Sequence, residues 1–257
     1  MSEQGTTTGV ADDARAARAE EEDGGRPTIV MVHGAFADGS SWSPVIQRLQ
    51  DAGHRVVAVA NPLRGLAADA AHVRSVLDTI AGPVVLVGHS YGGAVITEAG
   101  AAAPGVKALV YIAAFMPDAG EVLGELAAKY PGSALEGALA PAPDGSGGLD
   151  LYLRTDSFRA VVAADVPEST TRLLAAVQRP LAVSAFTDRA SAAAWRTVPS
   201  WSLVATEDRG IVPELQRFQA QRAGSRTVEV PSSHLPLYSR PEAVASLVQA
   251  AARSITA

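Results

Sequence analysis

The sequence predicts an α/β protein: a doubly wound, mostly parallel six-stranded sheet carrying a small helical cap. Three observations predict it. Short apolar runs occur at 28–32, 55–60, 83–87, 107–115, 200–205 and 226–230. They are nearly continuous and rich in β-branched residues, as strands buried on both faces of a parallel sheet read. Helical patterns separate them, so the chain alternates strand and helix and requires crossover connections. The alternation breaks once, over 117–190. That interval shows no strand pattern, only a Pro/Gly-rich loop at 141–148 and apolar helical stretches such as 161–177. An insertion of that size reads as a cap over the carboxyl edge of the sheet, where ligands bind in such folds. Extra helices packed elsewhere are the alternative.

The core therefore comprises 27–116 and 191–257. Within it, Leu66, Ala70, Val73, Leu77 and Ile80 recur at three and four residues and give a helix one apolar stripe. Pro44 and Pro241 sit where helices begin. Gly224 stands where a helix after Leu215 and Phe218 would end. Residues 1–26 differ in kind. Seven acidic residues against three arginines give this stretch −4 of the total net charge of −6. With Val10 its only β-branched aliphatic, it cannot bury enough surface to offset its ordering entropy, and disorder is expected.

Composition excludes several function classes. The chain has 257 residues, 47% hydrophobic and 19% charged, enough for a large core. An acidic chain without a basic cluster has no electrostatic footprint for nucleic acid or an anionic membrane. No run of about 18 apolar residues would span a bilayer. The start, Met-Ser-Glu-Gln-Gly, lacks the basic and apolar regions of a signal peptide. There is no cysteine, hence no disulfide, thiolate metal site or cysteine nucleophile, which fits a reducing, cytoplasmic location. Neither a metal-ligand cluster nor a glycine-rich phosphate cradle is present.

Chemistry enters at Gly88-His89-Ser90-Tyr91-Gly92-Gly93. This segment follows one apolar run and precedes a helical stretch over 94–103. A serine between glycines on a strand–turn–helix is exposed at the strand tip, at the positive end of a helix. Residues two before and two after must be small, which accounts for Gly88 and Gly92. A serine hydroxyl needs a base. Of His33, His54, His72, His89 and His234, only His234 follows the last core run, so it is the candidate base. His89 is read as structural, and His54 and His72 as surface residues. The acid should follow 200–205, in Thr206-Glu207-Asp208-Arg209. Asp208 is preferred because a short side chain at the bend can meet the far imidazole nitrogen; Glu207 and Asp118 are the rivals. An oxyanion hole needs two backbone N–H groups. Tyr91 offers one, and the loop beginning His33-Gly34-Ala35-Phe36 the other, through Ala35 first and Phe36 second. Phe36, Tyr91, Phe115, Met116, Leu235 and Leu237 are the candidate substrate-binding wall, none of them a fixed charge.

These motifs make the chain resemble the α/β-hydrolase superfamily, and within it the bacterial carboxylesterases related to plant methylesterases and hydroxynitrile lyases. The resemblance rests on His33-Gly34-Ala35-Phe36 through Trp42, on Gly88 to Gly93, on Asp208 with Pro213-Glu214-Leu215-Gln216, and on Ser233-His234. It spans most of 28–255. It implies a six-stranded core without the two N-terminal strands of larger members, no cofactor, and a small-molecule ester as substrate. Lyase members carry a lysine after the histidine and a threonine in the first loop; here Leu235 and Gly34 stand there. The expectation is ester hydrolysis through an acyl-enzyme on Ser90. Rivals on the same triad are a lactonase, a carbon–carbon bond hydrolase or a metabolite-tailoring hydrolase. A non-catalytic receptor or binding module is the rival of another class.

Overall fold

The structure, a computed structural model, describes residues 25–256. All of the acidic segment except Gly25 and Arg26 lies outside the described residues. In chain order the first half is β1 (Thr28–Val32), α1 (Ser43–Asp51), β2 (Val56–Val59), α2 (Leu66–Leu77), β3 (Val84–His89), α3 (Tyr91–Ala99) and β4 (Val106–Ile112). The insertion holds α4 (Leu123–Ala127), α5 (Leu135–Ala138), β5 (Leu139–Pro143), β6 (Leu149–Leu153), α6 (Thr155–Val162), α7 (Glu168–Ala176), β7 (Leu181–Ala182) and α8 (Ser184–Thr187). The chain closes with β8 (Ser200–Ala205), α9 (Pro213–Arg222), β9 (Arg226–Val230), α10 (Pro236–Ser239) and α11 (Pro241–Thr256).

The main sheet has six strands in the order β2-β1-β3-β4-β8-β9, and every pairing is parallel. The period-2 alternation of strand side chains divides its residues between two cores. Val30, Val32, Leu86, Leu109 and Tyr111 face α2, α3 and the insertion. Ile29, Met31, Val85, Val87, Val110 and Ile112 face α1 and α11 with Leu49, Val244 and Val248. Each fully buried aliphatic side chain of this kind contributes about 1.5–3 kcal/mol. Continuous apolar strands are needed because both faces are covered. β9 is the exception. It is an edge strand whose residues are mostly exposed, and Arg226 and Glu229 on it blunt further pairing.

Two expectations about the insertion are corrected. It is not purely helical: β5, β6 and β7 form a three-stranded antiparallel sheet. Leu139–Pro143 and Leu149–Leu153 pair as a hairpin, so the first three residues of the expected loop at 141–148 belong to β5; Pro141 and Pro143 conceal the strand because proline is tolerated only on edge strands. The expected helical stretch 161–177 is two helices. α6 ends at Val162, where Ala163 leaves the helical conformation, and Pro167, which biases the residue before it away from helix, stands at the start of α7.

The insertion is tied to the core at three loops. Arg64 pairs with Asp150 at 2.8 Å. The Ser133 hydroxyl donates to the Gly210 carbonyl at 2.7 Å. The Ser233 hydroxyl donates to the Asp165 carboxylate. The strand order reverses between β1 and β3, so the loops leaving their carboxyl ends splay apart and leave a crevice. Among the described residues, no helix is long and apolar enough to cross a membrane.

Candidate active site

Ser90 sits in that crevice, in the turn between β3 and α3, with φ 54° and ψ −123°. A non-glycine residue held at such angles stores about 1–3 kcal/mol of strain. The surroundings enforce it. The Ser90 N–H donates to the Ile112 carbonyl at 3.2 Å, and its carbonyl accepts from Phe115 N–H at 3.1 Å and Gly93 N–H at 3.0 Å. The turn is closed by contacts that only glycine allows. A Cβ on Gly88 would stand 2.6 Å from the Gly92 carbonyl oxygen, and one on Gly92 2.4 Å from that of Val32.

His234 follows β9 and presents Nε2 to Ser90 Oγ at 2.8 Å. Its Nδ1 meets Asp208 Oδ2 at 2.6 Å. A carboxylate can only accept, so Nδ1 carries the proton and Nε2 is free to accept the serine proton. Asp208, in the loop after β8, is fully engaged. Oδ1 accepts from the N–H groups of Gly210 at 2.7 Å and Ile211 at 3.0 Å, and Oδ2 also accepts from Gln216 Nε2 at 2.8 Å. Neither rival carboxylate is near: Glu207 is exposed, and Asp118 is ion-paired with Arg196.

Gln216 is a site residue that its residue type and local pattern do not reveal. It lies on the first turns of α9, eight residues after Asp208, and also accepts from Ala205 N–H at 3.0 Å. Its position after Pro213, at the start of a helix beside the Asp208 loop, is the available signal. His89 donates from Nε2 to the His234 carbonyl at 2.8 Å, so it supports the loop that bears His234. Among the described residues, the N–H groups of Ala35, Phe36 and Tyr91 donate to no protein acceptor.

The cavity over Ser90 encloses about 790 Å³, its mouth included. Phe36, Tyr91, Phe115 and Leu235 line it. Met116 and Leu237 do not, a correction to the expected wall. Met116 is packed in the core with its N–H on Gln219, and Leu237 is buried in the α1–α11 core. The insertion supplies most of the roof, through Leu135, Leu153, Phe158, Val162, Leu174 and Phe186. Asp38, Ser40, Ser41 and Tyr238 add a polar margin. Hydrogen bonds from Ser40 hold the Asp38 carboxyl below the usual range, so the wall carries one fixed negative charge. Beneath the wall, the Tyr91 hydroxyl donates to Asp69 at 2.7 Å, and burial pushes both groups upward.

Burial depresses His33 to about 4 and His89 to about 3. Both stay neutral in the folded chain, while the unfolded chain takes up protons near 6.5. Stability from these groups is therefore complete above pH 6.5 and falls as the pH drops toward 4, by about 1.4 kcal/mol per unit for each. Thermal melts should show a falling Tm between pH 6.5 and 5, above the range in which paired carboxylates titrate. A flat Tm over that window would refute neutral burial of both rings.

The sequence model of the alpha/beta hydrolase family matches residues 29–247. A carbendazim hydrolyzing esterase of Nocardioides sp. is 39% identical over 114 residues, covering 39% of this chain and 47% of that protein. The chain thus spans about half the length of that relative. A pyrethroid hydrolase of Sphingobium wenxiniae is 28% identical over 243 residues, covering 86% of this chain and 85% of that protein. Among solved structures, a pyrethroid hydrolase of Sphingobium faniae superposes with a TM-score of 0.76 at 23% identity, covering 89% of this chain and 98% of that one.

Proposed function

We propose, given that this chain belongs to the alpha/beta hydrolase family, that it is a carboxylic ester hydrolase working through a covalent acyl-enzyme on Ser90. The observation that carries the reading is the unbroken chain Ser90 Oγ–His234 Nε2 at 2.8 Å and His234 Nδ1–Asp208 at 2.6 Å, opening into an apolar cavity. Ser90 attacks the ester carbonyl and passes its proton to His234 Nε2. The carbonyl oxygen becomes an oxyanion and is held by the Tyr91 N–H and an N–H of the Ala35–Phe36 loop. His234 returns the proton to the departing alkoxide, which leaves as alcohol. Water then repeats both steps on the acyl-enzyme and frees the acid. Asp208 fixes the imidazole tautomer throughout and stabilises its transient positive charge.

The apolar roof favours small to medium uncharged esters, such as acetate or methyl esters, and the Asp38 carboxylate repels substrates that carry their own carboxylate. A panel of p-nitrophenyl esters, methyl esters, carboxylate-bearing hemiesters and lactones tests this. Neutral esters are expected to give the highest kcat/KM and hemiesters at least tenfold less. Lactones turning over far faster than open-chain esters would overturn the substrate class.

Cyanohydrin cleavage is expected to be absent. Leu235 follows His234 where lyase relatives carry a lysine, so no positive charge waits for a departing cyanide. A Cβ at Gly34 would also stand 2.8 Å from that of Ser90, which leaves no room for the lyase threonine. Mandelonitrile cleavage well above the buffer rate would refute this choice.

A further inference from the structure

The loop after β1 offers two candidate oxyanion donors, and the ester-hydrolase reading leaves them undecided. His33, buried behind the loop, resolves the choice. Its Nδ1 is 2.9 Å from the Gly34 carbonyl, and its Nε2 is 3.1 Å from the Asn61 N–H. A carbonyl only accepts and an amide N–H only donates, so the ring has one compatible form: Nδ1 protonated and Nε2 bare. The Asn61 side chain donates in turn to the His33 carbonyl at 3.2 Å. The ring is thus gripped at both nitrogens, and its own carbonyl is held.

The consequence follows from peptide planarity. In a trans peptide the C=O and the N–H of the next residue point in opposite directions. With the Gly34 carbonyl drawn back onto the His33 ring, the Ala35 N–H points forward. Forward is toward Ser90, because Gly34 abuts the Ser90 side chain and Ala35 lines the cavity. We infer that His33 is a positioning residue that locks the Gly34–Ala35 peptide, making the Ala35 N–H, and not that of Phe36, the second oxyanion donor. This rests on the ester-hydrolase reading. His33 touches no reacting atom; it prevents the peptide from turning over and presenting a carbonyl to the oxyanion.

Two substitutions separate the ring's two bonds. His33→Asn keeps an N–H where Nδ1 stood but gives Asn61 no acceptor. His33→Gln keeps an acceptor near Nε2 but loses the donor to Gly34. With p-nitrophenyl acetate, His33→Gln is expected to lose about 10²-fold in kcat with little change in KM, the order of effect of losing one oxyanion donor. Its affinity for a trifluoromethyl ketone, which adds to serine as a tetrahedral oxyanion, should fall in parallel. His33→Asn should melt lower yet keep kcat within tenfold of the unsubstituted protein. Equal kcat losses in both variants, or losses that follow Tm or KM, overturn the inference. Should His33→Gln not fold, the imidazole ¹⁵N spectrum of the unsubstituted protein decides: an Nε2–H tautomer at His33 overturns it, and an Nδ1–H tautomer supports it. Labelling of Ser90 by a fluorophosphonate separates the two claims. An unlabelled Ser90 overturns the hydrolase reading and this inference with it; a labelled Ser90 with equal losses overturns this inference alone.

Discussion

Ser90→Ala is expected to lower kcat on p-nitrophenyl esters by about 10⁴–10⁶-fold, and His234→Ala by a similar factor, while the double variant is little worse than either. The reason is physical dependence. Without His234, the Ser90 hydroxyl has no acceptor for its proton; without Ser90, the base has nothing to activate. Asp208→Asn should cost less, on the order of 10⁴, because the imidazole survives but its tautomer is no longer enforced. Tm should hold for Ser90→Ala, whose side chain, among the described residues, hydrogen-bonds to His234 alone. Glu207→Gln and Asp118→Asn should leave activity nearly unchanged, since one is exposed and the other is committed to Arg196. Additive losses in the double variant, or a larger loss from Asp118→Asn than from Asp208→Asn, would dismantle the triad.

The second large effect concerns the turn that presents the serine. Gly92→Val is expected to destabilise the protein by about 3 kcal/mol or more, because its Cβ would stand 2.4 Å from the Val32 carbonyl oxygen and 2.8 Å from that of His33. These are backbone atoms of β1 and the loop beyond it, so relief requires moving the strand or the turn. For a domain of this size such a loss lowers Tm by roughly 6–12 °C. Activity at low temperature should fall as well, because the displaced segments carry Ser90 and Ala35, the proposed oxyanion donor. Gly137→Ala is the control: nothing lies within 4 Å of the added methyl, so its Tm should stay within a few degrees. A Gly92→Val protein that melts like the control would mean that the turn does not depend on this contact.

Legibility in the sequence followed the range of the physics. The strands over 28–32 and 200–205 were readable because burial on both faces leaves nothing but apolar residues in them. The strand at Arg226–Val230 was readable as a strand but not as an exposed edge. Edge position depends on which neighbour is missing, and no local pattern records that. The β5–β6 hairpin is hidden by its own prolines, and Pro167 is the one mark in the sequence of the break between α6 and α7. The nucleophile turn was visible because steric limits act over five consecutive residues. The sequence leaves three carboxylates as candidate acids, and only the fold brings one of them, Asp208, onto His234.

The sequence by itself determined the alternating α/β order, the serine between its glycines, the histidine after the last strand, and the Gly34 and Leu235 departures from the lyase pattern. Each is a constraint between neighbours along the chain or a matter of residue type at one position. Only the tertiary structure decided the rest. It put Gln216 on the Asp208 carboxylate and His33 on the Gly34 carbonyl with Asn61 behind it. It roofed the cavity with Leu135, Phe158 and Leu174 from the insertion rather than with Met116 and Leu237. The longer-range of these contacts join Asn61 to His33, 28 residues away, and His234 to Ser90, 144 residues away. They depend on where crossovers return the chain, which is fixed by burial over the whole sheet and not by any local run of residues.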